Sequence, residues 1–379
     1  MYSEIRSKNI NLSLFLIFIL IIIIKSPCTF FMGRSIGGME VFNSYALNNN
    51  FWSSLIYIYS EAKYFELWTN VSAIIASKTN ISSSLVVVYM ALAIKILLIY
   101  YIFFSNSKLL LSTFHKFVFA SFCIYSTAIT PEIWLTSLHS KNFFGILSFL
   151  MLFQNFEKFS KKKILYYRIS LVFNGLCSIY SSIFSIVYFL KCLNEKNKFN
   201  FINFVYSLIP LLINFIIFVS FSLKELATND RFVIELDKIF NLIYNVGFRP
   251  IFGGNLSKLF YNSLDFNSIK FYLLFFFIFL FLIMMFYFVK KKDKILNLIL
   301  FSFLINVLFI LAGSQYSNFV GGRYAVISSI IFLTLFLRLF QIEKNFYLNK
   351  FFLTIILISL FAGIIEFKFF NPWMYLLRC

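Results

Sequence analysis

The chain has 379 residues, of which 60% are hydrophobic and 13% charged, and its 34 Lys and Arg against 15 Asp and Glu give a net charge of +19. Charged residues this few cannot cover the surface of a soluble domain of this size. The composition therefore excludes a soluble protein and indicates a polytopic membrane protein. The lysines lie in short clusters between apolar runs rather than on one basic face, which argues against nucleic acid as a partner and is typical of cytoplasmic loops.

Apolar runs along the chain predict an all-α fold of membrane helices. The first run covers residues 12–24, and "KSPCTF" after it is a poor signal-peptide cleavage site, so an uncleaved helix is predicted. No soluble domain or internal repeat is evident, so residues 1–379 are predicted to form a single integral membrane domain. Further candidate spans cover about 84–104, 109–129, 143–157, 201–222, 271–289, 295–313, 324–340 and 351–366.

Residues 164–193 form an apolar run of about thirty residues between two basic clusters, "KKK" at 161–163 and "KCLNEKNK" at 191–198. A single span would place these clusters on opposite sides of the membrane, which the positive-inside rule disfavours. A break at "NGLCS" (174–178), where Asn and Gly tolerate a turn, makes the run a hairpin of two short helices. The turn of such a hairpin must be buried in protein or line a wet cavity.

The resulting arrangement has about eleven membrane segments, with the N-terminus in the cytoplasm and the C-terminus outside. The outer segments cover about 26–83, 130–142, 223–270, 314–323 and the tail from 367. Two of them are long, and each carries large apolar residues at roughly helical spacing, which predicts interfacial helices on the membrane surface. These residues are Trp52, Leu55, Ile56, Tyr59 and Tyr64 in the first loop and Phe232, Ile234, Leu236, Ile239, Phe240, Leu242 and Ile243 in the second.

Glu40 is the first candidate for a functional role. It lies in "GRSIGGMEVFNSY", soon after the first membrane helix, with three glycines and Arg34 close by in sequence. A carboxylate at this place could act as a general base on an acceptor hydroxyl or hold a divalent metal. A solvated loop glutamate is the alternative.

The stretch "TPEIWLTSLHS" (130–140) places Glu132, Trp134 and His139 between two apolar runs. Proline followed by an acid commonly begins a helix, and Trp134 also fits an interfacial belt residue. The functional reading is that Glu132, Trp134 and His139 face a cavity at the outer membrane surface, where Glu132 and His139 bind substrate. A hydrogen-bonded structural role is the alternative for His139.

A third group lies in "NFVGGRYAVISS" (318–329), where Arg323 and Tyr324 open a predicted helix at its outer end after two glycines. An outer arginine runs against the positive-inside bias, and it could clamp a phosphate or pyrophosphate. A snorkelling arginine is the alternative. The stretch "GFRPIFGGN" (247–255) offers a similar, weaker group around Arg249.

Common catalytic motifs are absent from the sequence, which contains no GxSxG, HExxH, P-loop or GxGxxG pattern. Two histidines in the whole chain also exclude a histidine-based metal site, and the five cysteines show no CxxC spacing. No metal ligand is therefore assigned.

The order of these features resembles the polytopic GT-C-type membrane glycosyltransferases, in particular a bacterial branch associated with surface polysaccharide and O-antigen genes. The similarity is one of pattern over most of the chain: one helix, a large loop with an early acid, the "PE-W" segment, the broken pair at 164–193, a second large loop and the late "GGRY". It implies transfer of a sugar from a polyprenyl-phosphate donor to a glycan, lipid or protein acceptor at the periplasmic face of the bacterial inner membrane.

The resemblance implies that Glu40 is the base, since an acid of the first outer loop has that role in the family. The family often shows a pair of acids there, and the next acids in this chain are Glu61 and Glu66. The absence of a second acid next to Glu40 counts against both the assignment of Glu40 as the base and the binding of a divalent metal there. Two other classes remain open. A lipid-linked sugar flippase or polysaccharide transporter expects an internal repeat and charged residues in mid-helix, of which the sequence offers only Lys95, Arg168 and Arg338 near or within spans. A non-catalytic assembly partner would not need Glu40 or Arg323.

Overall fold

A computed structural model of the chain describes residues 2–25, 39–59, 63–79, 83–125, 133–134, 136–157, 159–222, 236–254, 292–313 and 322–369, together with isolated residues and short runs between 272 and 290. These residues form helices without a β-strand, apart from one isolated bridge between Ser107 and Gln154. The chain divides into two compact units. Unit 1 comprises residues 1–113, 131–228 and 371–379, and unit 2 comprises residues 114–130 and 229–370.

Unit 1 contains most of the helices. In chain order they are α1 (Tyr2–Ile24), α2 (Met39–Asn48), α3 (Phe51–Leu55), α4 (Leu67–Lys78), α5 (Ser83–Phe104), a 3₁₀ turn (Ser137–Ser140), α7 (Lys141–Met151), α8 (Lys161–Cys177), α9 (Ile179–Glu195) and α10 (Lys198–Ser222). Unit 2 contains α6 (Thr113–Tyr125, apart from its first residue), α11 (Leu236–Ile243), a π-helical turn (Tyr244–Phe248), α12 (Arg249–Phe252), α13 (Lys294–Gly313), α14 (Gly322–Ile342) and α15 (Phe346–Phe369).

Within the described residues, five helices are long and apolar enough to cross a membrane, which confirms the prediction of a helical membrane protein. Their apolar parts are Leu85–Phe104, Lys198–Phe221, Lys294–Ala312, Tyr324–Ile342 and Phe346–Glu366, and each overlaps a span predicted from the sequence. The apolar part of α1, Lys8–Ile24, is shorter. The count of eleven membrane segments remains a prediction, and the predicted span 271–289 lies largely outside the described residues.

The apolar run 164–193 is broken into two antiparallel helices, as the sequence predicts. Helix α8 ends at Cys177, and Ser178 adopts an extended backbone before α9 begins at Ile179. The hydroxyl groups of Tyr167 and Tyr188 are 2.8 Å apart, ten or so residues from the break on either arm. Each arm has 17 residues, or about 25 Å of helix, so it is shorter than the ~30 Å hydrocarbon core.

The turn of this hairpin is buried in protein. The hydroxyl of Ser178 donates to the carbonyl of Lys141 at 2.7 Å, and that of Ser182 donates to the carbonyl of Gly175 at 2.8 Å. Gly175 has no space for a side chain, because a Cβ there would lie 2.3 Å from Cγ of Pro210 on α10. Asn214 on α10 completes the junction, since its Nδ2 donates to Ser182 Oγ at 3.0 Å and its Oδ1 accepts from the backbone N–H of Phe65 at 2.9 Å.

Helices α2, α3 and α4 pack together on the first part of α5, and we call this group the cap. Its core consists of Met39, Phe42, Ala46, Ala73, Ile74 and Val87, against which Leu55, Tyr57, Tyr59 and Leu138 also pack. The later part of α5 contacts α1 instead, through the rings of Phe18 and Phe103, whose centroids are 5.6 Å apart. Helix α5 therefore joins the cap to the membrane-spanning part of unit 1.

The helical stripe predicted from Trp52 to Tyr64 is wrong in extent. Helix α3 ends at Leu55, and the chain beyond it is not helical at 57–59 or at 63–66. Tyr57 and Tyr59 pack around Phe42 of α2, so the tertiary contacts of the cap replace a continuous surface helix. Trp52 is 72% exposed and keeps the predicted surface position. In the second loop, Leu242 and Ile243 are buried in unit 2.

The predicted span 143–157 is a shorter helix, because α7 ends at Met151. Beyond it the chain turns and pairs with the segment after α5, where Lys108 N donates to Phe153 O and Asn155 N donates to Asn106 O, both at 2.8 Å. Eleven residues span only about 16 Å, so α7 is too short to cross a bilayer by itself. Hydropathy alone could not reveal this end, since Leu152 and Phe153 are apolar and buried.

Candidate functional site

Glu40 lies in the first turn of α2 with its side chain exposed. The helix buries Met39, Phe42 and Ala46 in the cap, so Glu40 belongs to the opposite, open face. A carboxylate at a helix N-terminus is stabilised by the helix dipole and remains accessible to a ligand from outside. Glu40 therefore has the accessibility that a general base needs.

The start of α2 packs directly on the "TPEIWLTSLHS" segment. Ser137 Oγ lies 3.4 Å from Sδ of Met39 and 2.9 Å from Oγ of Ser72 on α4. The residue next to Glu40 is thus in contact with a segment 98 positions further along the chain. Two of the segments that the sequence singles out, around Glu40 and around His139, come together in the cap.

His139 is buried within this junction, at 6% exposure. Its backbone N–H donates to Oγ1 of Thr136, which caps the 3₁₀ turn, and its carbonyl accepts from Nδ2 of Asn142 at 3.1 Å. These bonds hold His139 in the interior of the cap rather than on its open face. Glu132, the other substrate-binding candidate of this segment, lies outside the described residues.

Trp134 is also buried, so it is not a lipid-facing belt residue. Two lysines approach its ring: Nζ of Lys25 is 4.3 Å and Nζ of Lys95 is 4.7 Å from the centroid. The ammonium group of Lys95 donates to the carbonyl oxygens of Ala91 at 2.9 Å and Trp134 at 2.5 Å. Lys95 therefore fastens α5 to the segment that precedes the 3₁₀ turn.

A buried ion pair that the sequence did not reveal lies between the cap and the hairpin. Nζ of Lys141 is 2.8 Å from Oε1 of Glu66, whose Oε2 accepts from the hydroxyl of Thr69 at 3.1 Å. Nζ of Lys141 also lies 2.6 Å from the hydroxyl oxygen of Tyr64. Burial disfavours the charged ammonium, but the carboxylate of Glu66 and the nearby tyrosines outweigh it and raise the pKa of Lys141 above its ordinary value.

The same lysine connects this pair to the hairpin, because its backbone carbonyl accepts from Ser178 at the turn. Glu66 and Lys141 are 75 positions apart, and a lone Glu or Lys carries no sequence signal for such a contact. The arrangement occupies Glu66 with an ion pair, which leaves Glu40 as the accessible described acid of the first loop.

In unit 2, Arg249 begins α12 and its Nη1 is 3.4 Å from Oδ1 of Asn245 in the preceding π-helical turn. Gly253 follows with a φ of +83°, and the backbone N–H of Gly254 donates to the carboxylate of Glu366 near the end of α15. A Cβ at residue 254 would lie 3.2 Å from Nε of Arg249 and 2.6 Å from Oε1 of Glu366. Arg249 and Glu366 therefore flank the same glycine, a pairing that sequence reasoning missed.

Arg323 and Tyr324 lie in the first turn of α14, as the sequence predicts. Tyr324 is half-buried, and the side chain of Arg323 lies outside the described residues. N–H groups at a helix N-terminus attract anions, and the role of Arg323 as a phosphate clamp stays a prediction.

The cations that the sequence places within membrane segments have local structural partners. Arg338 on α14 forms a bidentate salt bridge with Asp293, with Nε–Oδ1 and Nη2–Oδ2 distances of 3.1 and 2.7 Å. Burial opposes the charge of Asp293, but its bonds with Arg338 and with the N-terminus of α13 lower its pKa. Arg168 donates from Nε to Oδ1 of Asn203 at 3.0 Å. With Lys95 bound to two carbonyls, these three residues act as links between helices.

No group of three or more His, Cys, Asp and Glu side chains within metal-binding reach of one another occurs among the described residues. Glu66, one of the acids nearest to Glu40 in the sequence, is bound to Lys141 and Thr69. The described part of the cap therefore does not supply a ligand set for a divalent metal.

The fold and these clusters define an all-α membrane protein with a helical cap that carries an exposed acid. An ion pair joins this cap to α7, which in turn bonds to the turn of a broken-helix hairpin. The chain matches no protein-family model, and no curated protein or solved structure shows significant similarity to it.

Proposed function

We propose that the protein is a membrane glycosyltransferase that transfers a sugar from a polyprenyl-phosphate-linked donor to a surface glycan, lipid or protein acceptor. The observation that carries this proposal is the setting of Glu40: an exposed carboxylate on a helix whose buried side is fixed against the 3₁₀ turn by Met39 and Ser137. A rigidly mounted, solvent-accessible acid beside the membrane-spanning part of the protein suits a general base that serves a lipid-linked donor.

In the proposed reaction, Glu40 accepts the proton of an acceptor hydroxyl while the oxygen attacks the anomeric carbon of the donor sugar. The bond between that carbon and the phosphate oxygen breaks, and its electron pair leaves with the polyprenyl phosphate. Arg323 and Tyr324, with Arg249, are assigned to the donor phosphate and Glu132 to the substrate cavity, whereas the buried His139 supports this region from inside the cap. The exposed position of Glu40 leaves room for a bulky acceptor.

The proposal places the cap at the periplasmic face of the bacterial inner membrane, with the N-terminus in the cytoplasm and eleven membrane segments. The transporter alternative gains less support, because Lys95, Arg168 and Arg338 are engaged in links between helices rather than exposed along a pathway. A non-catalytic partner would need neither Glu40 nor Arg323, so substitution of these two residues separates it from an enzyme.

Membrane topology is tested with single cysteines introduced into a cysteine-free background and an impermeant thiol reagent applied from outside. Cysteines at Asn48 and Lys78, which are exposed in the cap, are expected to react. Cysteines at Lys163 and Lys196, at the open ends of the hairpin, are expected to react only after the membrane is permeabilised. Reaction of the Lys196 site in intact cells would mean that α8 and α9 do not return to the same side.

Arg323 is tested by comparing lysine and alanine at this position. If the guanidinium holds a donor phosphate through two oxygens, Arg323→Lys weakens donor use partially and Arg323→Ala weakens it by about 1.5–3 kcal/mol, or roughly 10- to 150-fold. A snorkelling arginine gives the opposite pattern, with lysine fully tolerated and any alanine defect confined to protein level. The measurement is donor dependence of sugar transfer, normalised to inserted protein. Unchanged turnover in Arg323→Ala would contradict the proposal that Arg323 binds the donor phosphate.

A further inference from the structure

Six exposed lysines from three separate parts of the sequence converge at one end of unit 1, and we call them the basic patch. They are Lys108, Lys161, Lys162, Lys163, Lys196 and Lys198. The ring of Phe156 packs against Tyr167 of α8 and Phe199 of α10, with centroids 4.7 and 4.6 Å apart, and so holds the starts of these two helices together. The bond from Lys108 N to Phe153 O brings the segment after α5 to the same place.

The helix ends reinforce the positive charge of the patch. Lys161, Lys162 and Lys163 are the first three residues of α8, and Lys198 is the first residue of α10. A helix N-terminus carries partial positive charge, so lysines there repel the dipole and gain from a bound anion. Two acids lie in the same region, Glu157 beside Asn155 and Glu195 beside Asn200, so six lysines face two carboxylates. The region thus keeps an excess of positive charge.

Apolar surface begins immediately beside the patch on the same two helices. Leu165, Tyr166 and Ile169 on α8 and Phe201 and Val205 on α10 are exposed large hydrophobic residues. On a helical membrane protein such a surface faces acyl chains, so the lysines lie at the level of the lipid headgroups. A soluble anion would meet the charge but not the adjoining apolar band.

From this juxtaposition we propose that the basic patch binds anionic phospholipid headgroups of the adjacent leaflet and thereby holds the open end of the hairpin at the membrane surface. Each arm is about 25 Å long, somewhat shorter than the hydrocarbon core, and lysines reaching to phosphates stabilise this end at the interface. The proposal is independent of sugar transfer, since neither Glu40 nor Arg323 takes part.

The test uses the full chain reconstituted into phosphatidylcholine bilayers, with spin-labelled phosphatidylglycerol or phosphatidylcholine as the probe. Electron paramagnetic resonance measures the fraction of each probe immobilised at the protein surface. We expect a preference for phosphatidylglycerol, because a lysine at an anionic surface is worth about a fivefold preference. The preference should fall in 1 M NaCl, where the Debye length is about 3 Å.

Two matched variants change the same five positions: Lys161, Lys162, Lys163, Lys196 and Lys198 are all replaced by glutamine in one and by arginine in the other. The preference for phosphatidylglycerol should be several-fold smaller in the glutamine variant. The arginine variant keeps the charge and should keep the preference. Retention of the full preference by the glutamine variant would overturn the proposal. Loss of the phosphatidylglycerol preference in sodium phosphate, but not in sodium chloride of equal ionic strength, would also overturn the proposal, because that result identifies a site for soluble phosphate.

Discussion

Replacement of Glu40 by glutamine is expected to reduce sugar transfer by about 10²–10⁴-fold while the protein still inserts and accumulates, since this is the usual contribution of a general base. Glutamine keeps the size of the side chain but cannot accept the proton of the acceptor hydroxyl. The exposed position of Glu40 predicts that folding is unaffected, because its side chain makes no part of the cap core. The measurement is transfer from a polyprenyl-phosphate donor per amount of inserted protein.

Ser44 provides the matched control for this experiment. It lies one helical turn after Glu40 on the same exposed face of α2, so Ser44→Ala alters the same surface without removing a proton acceptor. Full activity is expected in Ser44→Ala. If Glu40→Gln is equally active, the base must be sought at Glu61 or Glu132, or the enzyme proposal fails. Glu66 is a poorer substitute, because Lys141 and Thr69 already bind both of its carboxylate oxygens.

Replacement of Lys141 by methionine is expected to destabilise the protein by about 3–5 kcal/mol, because it leaves the carboxylate of Glu66 buried without its counter-ion. Glu66 is 2% exposed, so water cannot take the place of the lysine. The double variant Glu66→Gln with Lys141→Met should recover part of the loss, since no unpaired charge remains. Thermal unfolding of the purified protein in detergent measures both variants.

Lys78→Met is the control, because Lys78 is an exposed lysine on α4, the helix that Glu66 precedes. A surface substitution of this kind should change the unfolding free energy by no more than about 0.5 kcal/mol. Equal, small effects at Lys141 and Lys78 would contradict the buried pair.

The raised pKa of Lys141 also predicts the direction in which the stability of the protein changes with pH. The stability due to the lysine is complete below its ordinary pKa and is lost only as the pH rises through the higher folded-state value.

The link between cap and hairpin has a consequence for activity under the proposed function. Glu66 precedes α4, whose Ser72 contacts Ser137, and Ser137 contacts the residue next to Glu40. Loss of the Glu66–Lys141 pair would therefore loosen the support of the proposed base as well as the hairpin turn. Transfer in Lys141→Met is expected to fall at temperatures well below unfolding, whereas Lys78→Met should retain the wild-type temperature dependence.

Hydropathy alone is enough to identify a helical membrane protein here and to locate several of its long helices. Hydropathy is a local property that a window of about twenty residues contains in full, so the spans at 84–104, 201–222, 295–313, 324–340 and 351–366 were predicted correctly. The break at Ser178 was also predictable, because the lysine clusters on both sides of the run require both ends to face the same way.

Local patterns failed where packing partners decide how long a helix runs. Helix α7 stops at Met151 because the following residues pair with the segment after α5, and the apolar side chains of Leu152 and Phe153 conceal this end in the sequence. The stripe from Trp52 to Tyr64 stops being helical after Leu55 because Tyr57 and Tyr59 gain more by packing on Phe42. Apolar residues at helical spacing therefore do not by themselves determine where a helix ends.

The contacts between polar residues depend on the folding of distant parts of the chain against one another. The Glu66–Lys141 pair joins positions 75 residues apart, and the Met39–Ser137 contact joins positions 98 apart. Neither pairing leaves a periodic or compositional trace, because each depends on how the cap, the 3₁₀ turn and the hairpin close on one another. Residue type predicted Glu40 as a candidate base. Its accessibility, and the engagement of Glu66, follow from which face of α2 and which end of α4 the folded chain buries.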